Sequence, residues 1–210
     1  MDDAMSGADL DTAAREDWEA PVVQAPLIGR ATILNAALRV ADQHGPDAVS
    51  MYAVARQLQV EPTVLHRYVE DTNDLLDGLV EILLTRTRLL AIEGPWDDRI
   101  LAMARAIRDT AREHPAVFPL LLTRPVITPE AREGRDAVYG ALRDSGLPEE
   151  VFPRVERLIS TAVLGFAASE AAGRFRMHPQ EIIDADFAEL LRWLMNALYD
   201  LGAKAPEDAA

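Results

Sequence analysis

From Ile28 onward, apolar residues recur on one face of successive helical segments, and polar residues fill the faces between them. Ile33, Leu34, Ala37, Leu38 and Ala41 follow the 3.6-residue period and predict a helix over 28–44, which Gly45-Pro46 terminates. Ser50 is placed to cap a short helix from Met51 to Leu58. Pro62 suits the first turn of the next helix, where a missing N–H costs nothing. Leu75, Leu76, Leu79, Val80, Leu83 and Leu84 then stripe a long helix running to about Ile92 and closed by Gly94-Pro95.

The pattern stays helical further on. Trp96 to Glu113 carries Ile100, Met103, Ala104 and Ile107 on one face and ends at His114-Pro115, because a residue before proline avoids the helical region. A short apolar segment, Ala116 to Leu122, precedes Pro125. Further helices are expected over Pro129–Asp144, Glu149–Gly173 and Pro179–Leu201, separated by Ser145-Gly146 and His178-Pro179. The expected fold is all-α with about nine helices, without a solenoid repeat, and with a domain boundary inside the long fourth helix.

Composition narrows the class. The 210 residues are 49% hydrophobic, enough for a sizeable core, and contain no cysteine, which excludes a disulfide framework and thiolate metal sites. A net charge of −14 argues against a protein that coats nucleic acid without specificity. Lys204 is the sole lysine, so the positive charge is almost all arginine. Met1-Asp2-Asp3 does not resemble a signal peptide, and no apolar run approaches 18 residues, so a soluble cytoplasmic protein without membrane contact is expected. Residues 1–25 form an acidic arm in which Trp18 is an isolated aromatic. No nucleophile elbow, phosphate loop, dinucleotide fingerprint or HExxH is present, so no catalytic residue, cofactor or metal site is expected. Asp97-Asp98 and Glu149-Glu150 read as acidic first turns of helices.

Two short helices joined by a tight turn, preceded by one helix and followed by another, can present a helix end to the DNA major groove. In this stretch the residues resemble the tetracycline-repressor (TetR) family of bacterial one-component regulators. The similarity from Ile33 to Leu79 is carried first by Ile33, Leu34, Ala37, Leu38, Ala41 and Gly45, then by Ser50, Met51, Val54, Ala55, Leu58 and Val60. The segment from Val64 to Leu76 completes it. More loosely, PWDDRILAMARAIRDTAREHPAVFPLLL and VLGFAASEAAG are similar to the family's C-terminal domain. The resemblance implies a helix-turn-helix domain at 26–72 and a helical ligand-binding and dimerisation domain at 73–205. It implies double-stranded operator DNA, a small-molecule effector and a second copy of the chain as partners.

The departures fall on the surface expected to face DNA. His66 stands where the family usually has tyrosine, with an aromatic returning at Tyr68, and Thr72 replaces a phosphate-binding lysine. Residues 26–72 carry four arginines against five acidic groups, a net of −1. A helix N-terminus still offers N–H groups to phosphate, and Thr72 or Asn73 can contact it without charge. Loss of operator binding on the same scaffold, leaving a ligand-binding or interaction protein, is the alternative.

For base readout the candidates are Thr63, Val64, His66 and Arg67; Arg67 either takes a guanine or pairs with Glu70 or Asp71. Tyr68, Arg56 and Gln57 are candidates for backbone contact. Trp96, Met103, Ile107, Phe118, Leu121, Tyr139, Phe152, Phe166 and Phe175 are candidates to line an effector cavity or to form ordinary core. With few obvious buried charges, an apolar or weakly polar effector is expected. His114 and His178 lack metal spacing and read as capping or solvent-facing. Ala162, Gly165, Ala168 and Ala172, with Phe187, Leu190, Leu191, Leu194 and Leu198, form faces for a four-helix dimer contact or complete the monomer core.

Overall fold

The computed structural model describes residues 28–88, 93–124 and 129–203. Among them every regular element is helical. The expected arm at 1–25, the end of the fourth helix at 89–92 and residues 204–205 lie outside the described residues.

Helix α1 spans Arg30–His44 and buries Ile33, Leu34, Ala37, Leu38 and Ala41 as the stripe requires, together with Ala36 and Val40. Gly45 ends it with φ of 85°, a conformation that suits a residue without a side chain. α2 spans Met51–Leu58, and the Ser50 hydroxyl accepts from the Ala53 N–H at 3.1 Å, the expected N-cap. The turn after α2 passes through Gln59 at φ 57°, in the left-handed region that a non-glycine residue occupies at a cost. Pro62 opens α3, a single turn over Pro62–Leu65, and Leu65 and Val69 anchor this end of the chain in the core.

Helix α4 covers Thr72–Arg88. Its start is built by two acidic residues: Asp71 accepts from the Asp74 N–H at 2.9 Å, and Asp74 accepts from the Glu70 N–H at 2.9 Å. Arg30 of α1 then holds Asp74 through two hydrogen bonds of 2.8 and 3.1 Å and also reaches Glu81. These bonds from Arg30 and Glu70 outweigh burial and keep the Asp74 carboxyl below its ordinary pKa. One helical turn further, Gly78 lets α1 sit directly on α4: a Cβ there would lie 2.3 Å from a Leu34 methyl carbon.

The rest of the chain packs around α5, Trp96–Glu113, which lies against α8 (Phe152–Ala171), α7 (Pro129–Asp144) and α4. A short turn of helix, α6, spans Leu120–Thr123 within the expected apolar segment, and α9 covers Gln180–Ala203. α8 is preceded by a 3-10 turn at Glu149–Val151, where a single helix from Glu149 is expected.

The core does not divide at residue 72. One apolar cluster joins Ile33, Leu38, Leu65, Leu75 and Leu79 to Val117 and Phe118 and to Ala167 and Ala168 of α8. Two smaller clusters fill the far end of the helical body, around Leu142 and Phe152 and around Val163 and Phe187.

An ion cluster ties α9 to α5 and α8. Arg108, 6% exposed, donates to both oxygens of Glu170 at 2.6 and 2.9 Å and to Asp184 at 2.8 Å, and Arg112 adds bonds to the same two carboxylates. The guanidinium lies over the Phe187 ring, 4.6 Å from its centre. Burial alone would raise the Glu170 pKa, but hydrogen bonds from Arg108, Arg112 and Gln180 prevail and hold it down; those from Gln180 and Arg112 do the same for Asp184.

Because both folded-state values are depressed, this cluster stabilises the fold fully above the ordinary carboxylate range. The contribution is lost as pH falls from about 4.5 through the lowered values. Thermal melts should show that acid-dependent loss, and Glu170→Ala should flatten it while costing about 3 kcal/mol near neutral pH by leaving buried Arg108 underpaired. Gln59→Gly should relieve the left-handed backbone and raise stability by roughly 0.5–1 kcal/mol, read as a higher melting temperature.

Candidate nucleic-acid interface

The residues expected to read DNA are brought to one exposed corner by α3 and the turn that follows it. Thr63 is exposed and Val64 half-buried on the single turn of α3, while His66, Arg67 and Tyr68 stand outside, carried on the turn that Val69 fastens to the core. The stretch from Thr63 to Tyr68 is therefore one helical turn plus a tight turn. Leu65 and Val69, both buried, leave the rest of it nothing further to pack.

Local bonding decides which side chains are available. The His66 Nδ1 lies 3.2 Å from the Glu70 carbonyl, which can only accept, so Nδ1 carries a proton and Nε2 faces outward. Arg67 is exposed and, among the described residues, makes no ion pair, although Glu70 and Asp71 are near in sequence. Asp71 is occupied in capping α4, and the Tyr68 carbonyl accepts from Arg30 at 3.3 Å. Thr72 opens α4, and the Asn73 side-chain oxygen accepts from Arg124 at 3.1 Å, which leaves the Asn73 amide N–H groups for other partners.

Charge on this part of the chain is less hostile than its net of −1 implies. Asp42 points at His114, and Asp71 serves the α4 cap. Arg30 is consumed internally by Asp74, so Arg39, Arg56 and Arg67 are its exposed cations without an ion pair among the described residues.

Arg56 and Gln57 border a groove of about 290 Å³ against the end of α1, with Gln43 and His44 opposite. Tyr52, 69% exposed in the first turn of α2, was not among the expected contacts. The signal was present: the inward stripe of Val54, Ala55 and Leu58 leaves positions 52 and 56 together on the outer face.

In the helical body, the nine expected effector residues are dispersed rather than gathered round one cavity. Phe118 and Leu121 are buried in the core shared with α1 and α4, and Ile107 packs beside them. Phe152 is buried against Tyr139, with ring centres 5.9 Å apart, and Phe166 lies between Phe175 and Phe187 at 5.3 and 5.2 Å. Trp96 meets Tyr199 edge-on.

Met103 borders a groove of about 530 Å³ between α5 and α7, with Arg99, Asp136 and Gly140. A second groove of about 570 Å³ runs between α5 and α9 over Leu101, Leu191 and Met195, rimmed by Arg105, Arg108 and Asp109. Buried charge is scarce among the described residues, and one such group, Arg108, lies at the edge of this groove. His114 caps the end of α5, its N–H bonded to the Thr110 carbonyl as the capping reading expects, but its ring is buried rather than solvent-facing, whereas His178 is exposed. Among the described residues no cluster of His, Asp or Glu is arranged to hold a metal, and no helix is long and apolar enough to cross a membrane.

Four of the residues assigned to a dimer contact face inward. Ala168 of α8 and Phe187, Leu191 and Leu198 of α9 are buried in the protomer's own clusters, where they close the helical body. Ala162, Gly165, Leu190 and Leu194 are half-buried, and Ala172 is exposed. The outward faces of α8 and α9 instead expose Leu158 (59%), Trp193 (63%), Ile182 and Leu201.

An exposed, arginine-bearing turn on a compact helical triad, set on a larger helical body, defines a helix-turn-helix transcriptional regulator. Comparison with known proteins agrees. The description "Bacterial regulatory proteins, tetR family" matches residues 33–79, and "Tetracyclin repressor-like, C-terminal domain" matches residues 100–198. An HTH-type transcriptional regulator of Saccharopolyspora erythraea is 30% identical over 161 residues, covering 75% of this chain and 68% of the relative. The HTH-type transcriptional repressor DrrR1 of Streptomyces coeruleorubidus is 28% identical over 183 residues, covering 84% and 68%. ActR of Streptomyces coelicolor, solved in complex with actinorhodin, shares the fold with a TM-score of 0.73 at 22% identity, over 86% of this chain and 100% of that one. The chain belongs to the tetR family of bacterial regulatory proteins.

Arg67→Ala should weaken binding to a cognate operator by about 1–3 kcal/mol in a titration while leaving the melting temperature unchanged, because Arg67 supports nothing internal. Asp71→Ala should do the reverse, lowering stability by about 0.5–2 kcal/mol through loss of the α4 cap.

Proposed function

We propose that this regulator is a cytoplasmic homodimeric repressor whose residues 26–72 read a near-palindromic operator and whose residues 73–205 bind the effector that releases it. The exposed turn from Thr63 to Tyr68, with Arg67 making no ion pair among the described residues, carries the DNA-reading part of the proposal. In the groove, Arg67 takes a guanine edge, Thr63 and His66 contact bases or phosphate, and Tyr52, Tyr68, Arg56, Thr72 and Asn73 position the head on the backbone. With few free cations, affinity depends less on counterion release than in a basic reading head.

Solved complexes of ActR with actinorhodin and with (S)-DNPA support the effector part. In this chain the grooves flanking α5 offer apolar floors of Leu101, Leu191, Met195 and Met103 under polar rims, which favours an apolar molecule bearing a few polar groups. Pairing of two copies uses the outward faces of α8 and α9, where Leu158 and Trp193 are exposed beside the small residues Ala162 and Gly165. Buried in a two-fold contact, Trp193 is the natural anchor.

Operator DNA taken from upstream of the regulator's own reading frame, titrated at low salt against random DNA, tests the reading. A specific shift is expected; failure to shift any fragment favours a scaffold that has lost operator binding. Thr72→Lys should add about two phosphate contacts per dimer and steepen the log–log salt dependence by roughly 1.8. Trp193→Glu should convert the dimer to monomers in analytical ultracentrifugation and abolish the shift.

A further inference from the structure

The segment between α5 and the end of α6 touches both of the helices that carry the reading head, and it does so through polar groups as well as core. His114 closes α5, its N–H bonded to the Thr110 carbonyl, and its side chain is 7% exposed. On one side of the ring, Nδ1 lies 2.9 and 3.1 Å from the two oxygens of Asp42 on α1. On the other, Nε2 lies 2.8 Å from Arg86 Nη1 of α4, which also donates to Glu113 at 2.7 Å. An arginine only donates, so Nε2 is placed to accept from it while Nδ1 donates to Asp42. The side chain thereby bridges α1 and α4.

At the other end of the segment, Arg124 donates to the Asn73 backbone carbonyl at 3.4 Å and to the Asn73 side-chain oxygen at 3.1 Å, and pairs with Asp77. All three acceptors belong to the first turns of α4, beside the DNA-reading corner. Between the two struts, Val117 and Phe118 are fully buried and Leu121 nearly so, in the cluster that contains Ile33 and Leu34 of α1 and Leu75 and Leu79 of α4.

We propose that the segment from His114 to Arg124 is a clasp that fixes the attitude of the reading head on the body, with His114 and Arg124 as its positioning residues. Apolar contacts alone permit sliding of one helix over another; a carboxylate accepting from an imidazole N–H at one end and a guanidinium at the other set direction. His114 acts on α1, Arg124 acts on the start of α4, and neither touches DNA. The proposal rests on the reading of residues 26–72 as a DNA-reading head, but its test needs neither DNA nor effector.

The chain has no cysteine, so two introduced cysteines report one distance. In the full-length protein, Glu61→Cys in the head and Arg154→Cys on α8, both exposed positions, receive nitroxide labels. The labelled chains are diluted into excess unlabelled protein, and pulsed EPR reads the intrachain separation. The parent should give one narrow distribution. Combining His114→Ala with Arg124→Gln should shift it by about 2 Å or more or add a second population. Restoring position 114 as His114→Asn, which keeps a donor toward Asp42, should recover most of the narrow form.

Leu142→Ala, in a core cluster away from the clasp, should lower the melting temperature without widening the distribution. If the double variant fails to fold, the single variant Arg124→Gln, at a partly exposed side chain, gives the same reading. An unchanged distribution in the Arg124→Gln and double variants, or widening by Leu142→Ala as large as theirs, overturns the proposal. Absence of operator binding by the unaltered protein would count only against the DNA-reading assignment, since the distance is measured without DNA.

Discussion

The seat of α1 on α4 is the contact on which the rest of the molecule depends. Gly78 brings the two helices together closely enough that Leu34 occupies the space any side chain at that position would need. One turn away, Arg30 grips Asp74, itself part of the α4 cap, so the same few residues set the start of α4 and the angle at which α1 crosses it. The reading turn hangs from this crossing through Leu65 and Val69. Its exposed side chains are placed by packing that occurs on the opposite side of the head.

Electrostatics follows from that arrangement. A chain with net charge −14 presents a problem for any molecule that must approach phosphate. The solution here is placement. Asp42 and Asp71 make internal hydrogen bonds to a buried imidazole and a backbone N–H, whereas Arg67 makes no ion pair among the described residues. In the body the opposite economy holds: Arg108 and Arg112 are drawn into a cluster with Glu170 and Asp184 that fastens the last helix.

Much of the helical layout is legible from the stripes and stops. The bounds of α2 and α5, the Ser50 cap, the Gly45 stop and the role of Pro62 are local chemistry, and local chemistry is what a sequence displays. Contacts between distant positions are not. His114 looks like a helix-end residue because its partners, Asp42 and Arg86, are 72 and 28 positions away. On α9 the apolar residues reach past one face, so the stripe alone does not say whether Phe187, Leu191 and Leu198 close the protomer's own core or meet another chain; here they face in while Trp193 faces out. Asp71 lies between these cases. Its spacing to Asp74 is that of a capping pair, yet beside Glu70 it reads as a charge opposed to DNA.

The His66 Nδ1 lies 3.2 Å from the Glu70 carbonyl four residues on, so the exposed ring is tied back to the end of its own turn and its orientation is settled without any outside partner. A side chain whose rotamer is already fixed has less conformational entropy to lose when a partner arrives.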